Sequence, residues 1–357
     1  MARHGRRGRE RTRSGLLSVV FSLAVVGAVA ALVAFFAFSS QVDRPGPHDS
    51  GATFVVERGA SVTSIGRDLA AAGLVRDARA FRIAHLIFAR DATLQAGEYA
   101  IPAHASTRDI LRLMAQGAAL QHAITFPEGI TVSGVMRILE QSLVLTGELP
   151  APPPEGSVLP ETYHVQRGMT RAALLQQMRQ AHDAAVAEIW AGRQPNLPIA
   201  SPDELVTLAS IVERETGVAS ERPLVAAVFV NRLRLPMRLE SDPTIIYGVC
   251  KQFPGRCRDG RLVDARGNPR VIRASEIALN TGYNTYRIDR LPPTPIANPG
   301  RAALEATSHP ADSNVLFFVA SGDGGHVFSA TLAEHNANVA RWREIERERL
   351  AAERAGR

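Results

Sequence analysis

The hydrophobic pattern of the chain begins with one uninterrupted apolar run. Gly15–Phe38 comprises twenty-four residues without a charge, and about 20 apolar residues suffice to cross the hydrocarbon core of a bilayer. We therefore predict a transmembrane helix over residues 15–38. A cleaved signal peptide is the alternative, but its apolar region usually has only about 7–15 residues. Residues 39–51 are polar and rich in turn formers, and are predicted to be a linker.

A different pattern repeats after residue 51. Four segments each combine a short strand-like run, a turn, a Ser or Thr suited to cap a helix, and apolar residues at helical spacing. A second helical stretch, "DARAFRIAHLIFAR", follows the first of them. The four segments begin with "FVVERG", "YAIPAH", "ITFPEG" and "YHVQRG".

These units predict an α+β fold in two parts behind the membrane helix. The first is a small α+β subdomain over residues 52–121, compatible with LysM-like glycan-binding folds, although compact α+β folds of unrelated function show the same pattern. The second is a larger mixed α+β domain over residues 122–357. It contains a proline-rich break at 147–163, a helix from about Thr170 to Trp190, and a charged C-terminal helix.

The charge distribution changes how the basic composition is interpreted. The net charge is +6, but residues 1–14 contain six arginines and one glutamate. The rest of the chain is therefore nearly neutral, which argues against a nucleic-acid-binding surface. The positive-inside rule places residues 1–14 in the cytoplasm as a basic segment and everything after residue 38 outside it. We expect a single-pass protein of the cytoplasmic (inner) membrane.

Two cysteines fit an oxidising compartment. Cys250 and Cys257 are the only cysteines and are separated by six residues. A disulfide between them would stabilise the fold by roughly 2–3 kcal/mol; two unrelated thiols are the alternative. No histidine lies close enough in sequence to complete a zinc site, and we expect no metal or other cofactor.

One predicted helix carries two glutamates near its end. Ser201 suits the N-cap, Pro202 the first helical position, and Glu204 completes a capping box. At 100° per residue, Glu213 and Glu215 fall on the two borders of the apolar stripe, while Arg214 points away from it. The stripe itself consists of Leu205, Leu208, Ala209, Val212 and Thr216.

The position of these carboxylates predicts unusual acidity. Gly217 suits the position just after the helix, so both glutamates lie in the last turn, at the negative end of the helix dipole. Such a placement disfavours the ionised form and raises the pKa, as a general acid requires. Ion pairs at the surface with Arg214, Arg222 or Arg232 are the alternative, and spacing does not choose between Glu213 and Glu215.

Two further clusters are typical of a sugar cleft. Asp242 and Thr244 stand at a predicted turn, and Tyr283, Asn284 and Tyr286 precede a proline-rich loop. Aromatic rings stack on pyranose faces while amide and hydroxyl groups reach the sugar hydroxyls. A structural loop anchored by tyrosines is the alternative interpretation.

Taken together, four motifs resemble the endolytic murein transglycosylases of the MltG, or YceG-like, family. They are "LASIVERET", "VFVNRLRLPMRLESDPTIIYG", "YNTY" with "LPPTPIANPG", and "FVASGDGGHVFSATLAEHNANV". The resemblance implies that Glu213 is the catalytic glutamate. It also implies cleavage of the bond between N-acetylmuramic acid and N-acetylglucosamine in nascent peptidoglycan strands, giving 1,6-anhydro ends and terminating strand growth.

The resemblance implies partners as well: peptidoglycan strands, the cytoplasmic membrane and peptidoglycan synthases (penicillin-binding proteins). Where the family often has glycine on both sides of its "LPP" triplet, this chain has Arg290 and Thr294. Two alternatives stay open. One is a hydrolytic muramidase using Glu215 or Asp242 as a second carboxylate, and the other is a non-catalytic, wall-binding scaffold protein.

Overall fold

The computed structural model describes residues 7–258 and 260–355, with side chains over 18–258, 260–349 and at 351, so part of the predicted cytoplasmic segment 1–14 lies outside the described residues. The chain divides into two compact units. The first is Met1–Gln121 with Gln166–Gly168, and the second is His122–Val165 with Met169–Arg357. The described strands pair into two-stranded sheets among many helices. The predicted α+β class is confirmed.

The first unit builds a small core around one antiparallel strand pair. Its strands β1 and β2 pair from Ala52 opposite Ile101 to Val56 opposite Gly97. Ser61 and Ser106 cap two of its helices through their side chains, as the repeated pattern predicts. Its elements are α1 (Arg7–Val42), β1 (Ala52–Val56), α2 (Val62–Ala71), α3 (Ala78–Phe88), β2 (Gly97–Ile101) and α4 (Thr107–Ala115).

Helix α1 is long and apolar enough over its 25 residues Ser18–Val42 to cross a membrane. It continues past the predicted span into the first unit, where Val42 is 1% exposed and joins the core. The amide of Gly46 donates to the carbonyl of His104 at 2.9 Å. Of the predicted linker 39–51, the first residues are therefore helical, and several later ones form backbone hydrogen bonds.

The second unit contains the remaining strand–helix segments and ends in an antiparallel strand pair and the predicted charged helix. Thr170 caps its longest internal helix through its side chain. Its elements are β3 (Gln121–Thr125), α5 (Val132–Gln141), β4 (Thr162–Gln166), α6 (Arg171–Gly192), α7 (Pro202–Glu215), α8 (Arg222–Arg234), α9 (Asp242–Gln252), β5 (Cys257–Arg258), β6 (Arg261–Leu262), α10 (Ala274–Ile277), α11 (Arg301–Ser308), β7 (Phe317–Ala320), β8 (His326–Ser329) and α12 (Leu332–Ala355).

Helix α7 lies at the centre of the second unit. It packs against α6, α8, α9 and α11, and every residue from Leu205 to Val212 is buried. A helix that is apolar on all sides belongs inside a protein, so the interior surface is wider than the single stripe predicted. Glu213 and Glu215, in the last turn of α7, therefore lie at the edge of this core.

The segment after α9 is fastened by the two cysteines and an ion pair. Cys250 and Cys257 are joined by a disulfide with their Cα atoms 5.4 Å apart. Further on, Arg270 donates to the buried carboxylate of Glu276, and Glu276 also accepts from the amide of Arg273 at 2.9 Å. The disulfide and the ion pair thus fasten the irregular segment between α9 and α10, and both cysteines line one of the cavities described below.

Candidate functional site

Glu213 occupies the last turn of α7 and meets the start of α11. One carboxylate oxygen, Oε2, accepts a hydrogen bond of 2.9 Å from the amide of Gly300, the N-cap of α11. The other, Oε1, lies 3.5 Å from Nη2 of Arg222 at the start of α8, and the Glu213 side chain is only 5% exposed. The predicted pairing with Arg222 therefore forms, but in a nearly buried setting rather than at the surface.

The loop before α5 covers Glu213 from another side. Arg222 also donates to Glu128 of this loop at 3.2 Å. A Cβ added to Gly129 would lie 3.3 Å from Cγ of Glu213, and this glycine has a φ of +70°. The amide of Gly129 donates to the carbonyl of Asn298 at 3.0 Å. The "PEG" and "NPG" segments thus close around the carboxylate, each with a glycine where a side chain would intrude.

The groups around Glu213 shift its pKa in opposite directions. Burial raises the pKa of Glu213, and the negative charge of Glu128 adds to this effect, while the Gly300 amide and the Arg222 and Arg214 guanidinium groups lower it. The net shift is upward. A carboxyl group with stabilising partners in both protonation states is suited to give up a proton and then take one back.

Glu215 faces a different neighbourhood, the turn before α9. Its Oε1 accepts a short hydrogen bond from the hydroxyl of Ser241. Burial raises the pKa of Glu215 to about 7, and the Asp242 carboxylate adds to the shift. Both glutamates therefore have the raised pKa that the sequence predicts, although burial is the leading cause.

Arg214, predicted to point away from the interior, is half-buried instead. Its Nη1 donates to the carbonyl of Gly129 at 3.4 Å, and burial lowers its pKa. The prediction fails because the loop before α5 covers this side of the helix. Gly217 does follow the cap residue Thr216, but it needs no left-handed φ.

Two of the predicted sugar contacts are structural. Thr244 and Asn284 are both fully buried. The Asn284 amide nitrogen donates to the carbonyls of Ile277 and Leu279 at 2.9 and 2.7 Å. The Thr244 hydroxyl donates to the carbonyl of Ser241 at 2.6 Å. The prediction that these side chains contact sugar is wrong for this structure, because Thr244 binds the backbone just before α9 and Asn284 binds the backbone at the end of α10.

The remaining predicted contacts differ in exposure: Asp242 is exposed, Tyr286 is half-buried, and Tyr283 is buried with only its hydroxyl group bonded to surface side chains. The hydroxyl of Tyr286 donates to the exposed carboxylate of Asp242 at 2.9 Å. The hydroxyl of Tyr283 accepts from Nζ of Lys251 at 2.6 Å and shares a hydrogen bond of 2.8 Å with Thr294. Lys251 is the only lysine in the chain, and it is exposed.

Lys251 lies between two adjoining cavities. The first has a volume of about 710 Å³ and is also lined by Arg137 and Thr294; the second, of about 400 Å³, is also lined by Arg214. Lys251, Tyr247 and Glu155 line both. Among the described residues that line these two cavities, Glu213 does not appear, whereas its neighbour Arg214 does.

Glu155 is a carboxylate that the sequence analysis missed. It accepts from the amide of Val132 at 2.8 Å, from the Asn298 amide nitrogen at 3.2 Å and from the Tyr247 hydroxyl at 3.3 Å. Burial raises the pKa of Glu155 to about 7. Its only sequence signal is a glutamate inside the proline-rich break, where a linker is the simpler interpretation.

The two departures around the "LPP" triplet differ in kind. Arg290 has a φ of +60°, the left-handed region that glycine occupies most easily, so a glycine there would relax the backbone. Its guanidinium donates to the carbonyl of Pro198 at 3.0 Å. Thr294 has no such strain, and its hydroxyl instead contributes to the wall of the first cavity.

Comparisons with known proteins identify the family to which the chain belongs. The YceG-like family matches residues 54–341. Endolytic murein transglycosylase of Streptococcus pneumoniae (strain D39) is 26% identical over 92% of this chain and 65% of the relative, so the chain spans about 65% of that relative's length. Endolytic murein transglycosylase of Bacillus subtilis is 37% identical over 136 residues, which are 38% of this chain and 33% of the relative.

Among solved structures, a crystal structure of a yceG-like protein from Listeria monocytogenes aligns with a TM-score of 0.47 at 24% identity. The alignment covers 81% of this chain and 98% of that one.

Proposed function

The chain belongs to the YceG-like family, and from that premise we propose that it is a membrane-anchored endolytic transglycosylase of peptidoglycan. Glu213 is its acid and base. The proposal is supported by the names of the relatives, which are endolytic murein transglycosylases. The observation that carries it is the nearly buried Glu213 carboxylate, held between the Gly300 amide and Arg222 with its pKa raised by burial.

The proposed reaction needs one carboxyl group. Protonated Glu213 gives its proton to the glycosidic oxygen as the bond from that oxygen to C1 of N-acetylmuramic acid breaks. The resulting carboxylate then takes the proton of the muramyl 6-hydroxyl while O6 bonds to C1. Glu213 regains its proton, no water is consumed, and the product is a 1,6-anhydromuramyl end. Because Oε2 accepts the Gly300 amide, we assign the transferred proton to Oε1.

The environment of Glu213 suits both halves of this cycle. Burial and Glu128 favour the protonated form needed first, while Arg222 and Gly300 stabilise the carboxylate needed second. In a site with little water such partners act strongly. Asp242, Tyr286 and Tyr283 are proposed to hold the glycan strand, with the cavities around Lys251 extending its path.

The proposed location follows from the apolar helix. Residues 1–14 lie in the cytoplasm, residues 15–38 of α1 cross the inner membrane and the rest of the chain is extracytoplasmic, where it would end growing strands beside peptidoglycan synthases. The first unit, whose strand pair and helices are compatible with a LysM-like module, would bind glycan. A protease added outside spheroplasts should remove the chain beyond α1, and protection of both units would contradict this orientation.

The activity is tested by digestion of purified peptidoglycan followed by mass spectrometry of the products. The proposal expects internal cleavage with 1,6-anhydromuramyl ends. Reducing muramyl ends would show a water-using muramidase instead, and intact strands would favour a binding or scaffold protein. An excess of short terminal fragments would contradict endolytic action.

A further inference from the structure

Helix α3 exposes an apolar stripe on one side. Ile83, Leu86 and Ile87 are 44%, 59% and 44% exposed, and their spacing of three and four residues places them on one face. The opposite face, with Phe81 and Ala84, is buried in the core of the first unit. Three large aliphatic side chains side by side on a surface helix commonly mark a contact surface.

The position of α3 along α1 indicates what covers this stripe. The ring of Phe88, the last residue of α3, lies 6.1 Å from the ring of Phe35 in α1. Phe35 precedes Phe38, the end of the predicted span, by three residues, or about 4.5 Å of helix. Phe88 therefore lies beside the last turn of the span. Leu86 and Ile87 are within two residues of it.

The junction between α1 and the first unit is fixed. The Arg108 guanidinium stacks 3.7 Å from the centre of the Phe88 ring. It also donates to the Ser39 hydroxyl at 2.8 Å, on α1 just beyond the span, and to the carboxylate of Asp43, the residue that follows α1, at 3.2 Å. Since Val42 is buried in the same core, α1 enters this unit without a hinge. These contacts hold α3 beside the end of the span.

Charges beside the stripe match a lipid surface. Arg79, Arg82 and Arg90 are exposed on or next to α3. Over residues 76–91 the chain has four arginines and two aspartates. Cationic side chains beside an apolar stripe are typical of helices that lie in the headgroup region, where they are attracted to anionic lipids.

We propose that α3 rests in the bilayer from which α1 emerges, with Ile83, Leu86 and Ile87 in the boundary between headgroups and acyl chains. This inference depends on the membrane anchor of the proposed function and not on the catalytic assignment. The first unit would then be held flat against the membrane, so any glycan that it binds lies close to the surface where strands grow.

Site-directed spin labelling tests this position. A nitroxide is attached to Leu86→Cys in the full chain, without reductant so that the native disulfide stays closed. The protein is reconstituted into vesicles of phosphatidylcholine and phosphatidylglycerol. Collision of the label with oxygen, which concentrates in lipid, is compared with collision with a water-soluble nickel chelate. Leu143→Cys is the matched control, because Leu143 is a leucine that is 93% exposed.

The expected result is an oxygen-to-nickel ratio several times higher at position 86 than at position 143. A label at position 86 that is as accessible to nickel as the control overturns the inference. A label shielded from both reagents also overturns it, since a protein partner or a second copy would then cover α3. Carbonate extraction and peptidoglycan cleavage are measured on the same preparation. Extractable protein contradicts the anchor, and lost cleavage contradicts the proposed activity, each independently of the α3 label.

Discussion

The amide of Gly300 donates a hydrogen bond of 2.9 Å to the carboxylate of Glu213, and any side chain at position 300 would displace the carboxylate of Glu128. A Cβ on Gly300 would lie 2.1 Å from Oε1 of Glu128, the residue whose partner Arg222 also reaches Glu213. The glycine of the "NPG" segment therefore lets three ionic side chains and one amide meet at the end of α7.

Gly300→Ala should lower the rate of strand cleavage by at least about tenfold, because a misplaced oriented donor or charge commonly costs that much. The φ of Gly300 is −73°, so alanine adds no backbone strain and folding should persist. Release of anhydromuramyl ends measures the rate. Gly192→Ala is the control, as Gly192 has open space around it. Equal cleavage rates for the two variants would show that Gly300 does not position the groups around the Glu213 carboxylate.

Glu128→Gln should shift the alkaline limb of the pH–rate profile of cleavage toward lower pH. The negative charge of Glu128 raises the pKa of Glu213, so its removal lowers that pKa. The protonated acid is then lost at a lower pH, and the alkaline limb of the rate profile shifts toward acid. Glu128 is 43% exposed, so solvent screening keeps the shift modest. A shift of this limb toward higher pH would contradict the claim that the charge of Glu128 raises the pKa of Glu213.

The stability of the second unit should depend on pH through Glu155. Its pKa is raised to about 7 in the folded protein from a usual value of 4.5, so its contribution is fully present below about pH 4.5 and is lost as the pH rises through about 7. Glu155→Gln should therefore reduce the fall in the thermal unfolding midpoint between these pH values. The exposed Glu148 supplies a control, Glu148→Gln, which should leave that fall unchanged. If the unfolding midpoint of Glu155→Gln falls between these pH values as steeply as that of the native protein, burial does not raise the pKa of Glu155 as stated.

Lys251 offers a direct test of whether the cavities contact the strand. As the only lysine, it and the N-terminal amine are the only amines that an acylating reagent can label. Glycan oligomers bound to an inactive Glu213→Gln protein should slow acylation of Lys251 severalfold, with the N-terminal amine as the internal control. Unchanged labelling at saturating glycan would exclude Lys251 and its two cavities from the binding path.

Local patterns predicted the helices and strands well, because each strand–helix unit is specified by residues close together in sequence. Ser61, Ser106 and Thr170 show this at the start of their helices. The site was predicted less completely. Spacing placed Glu213 at the end of α7, but Glu128 and Gly300 reach it only through tertiary packing, 85 and 87 positions away along the sequence.

The same limit explains the two wrong sugar contacts. Thr244 and Asn284 have the side chains of a sugar site, yet their hydrogen bonds are made to backbone groups of the second unit. Composition identifies polar groups but does not tell whether they face a cleft or a turn. Arg214 was misplaced for a related reason, since helical phase says nothing about a loop packed over the outer face.

The most direct measurement compares the release of 1,6-anhydromuramyl ends from purified strands by Glu213→Gln and Glu215→Gln. Glutamine keeps the shape of the side chain but holds no transferable proton, so the first variant should lose about 10²–10⁴-fold in rate with an unchanged unfolding midpoint. Glu215→Gln should lose far less, because the proposed reaction assigns it no proton transfer. Release by Glu213→Gln near the native rate, or loss of activity in Glu215→Gln alone, would contradict the account.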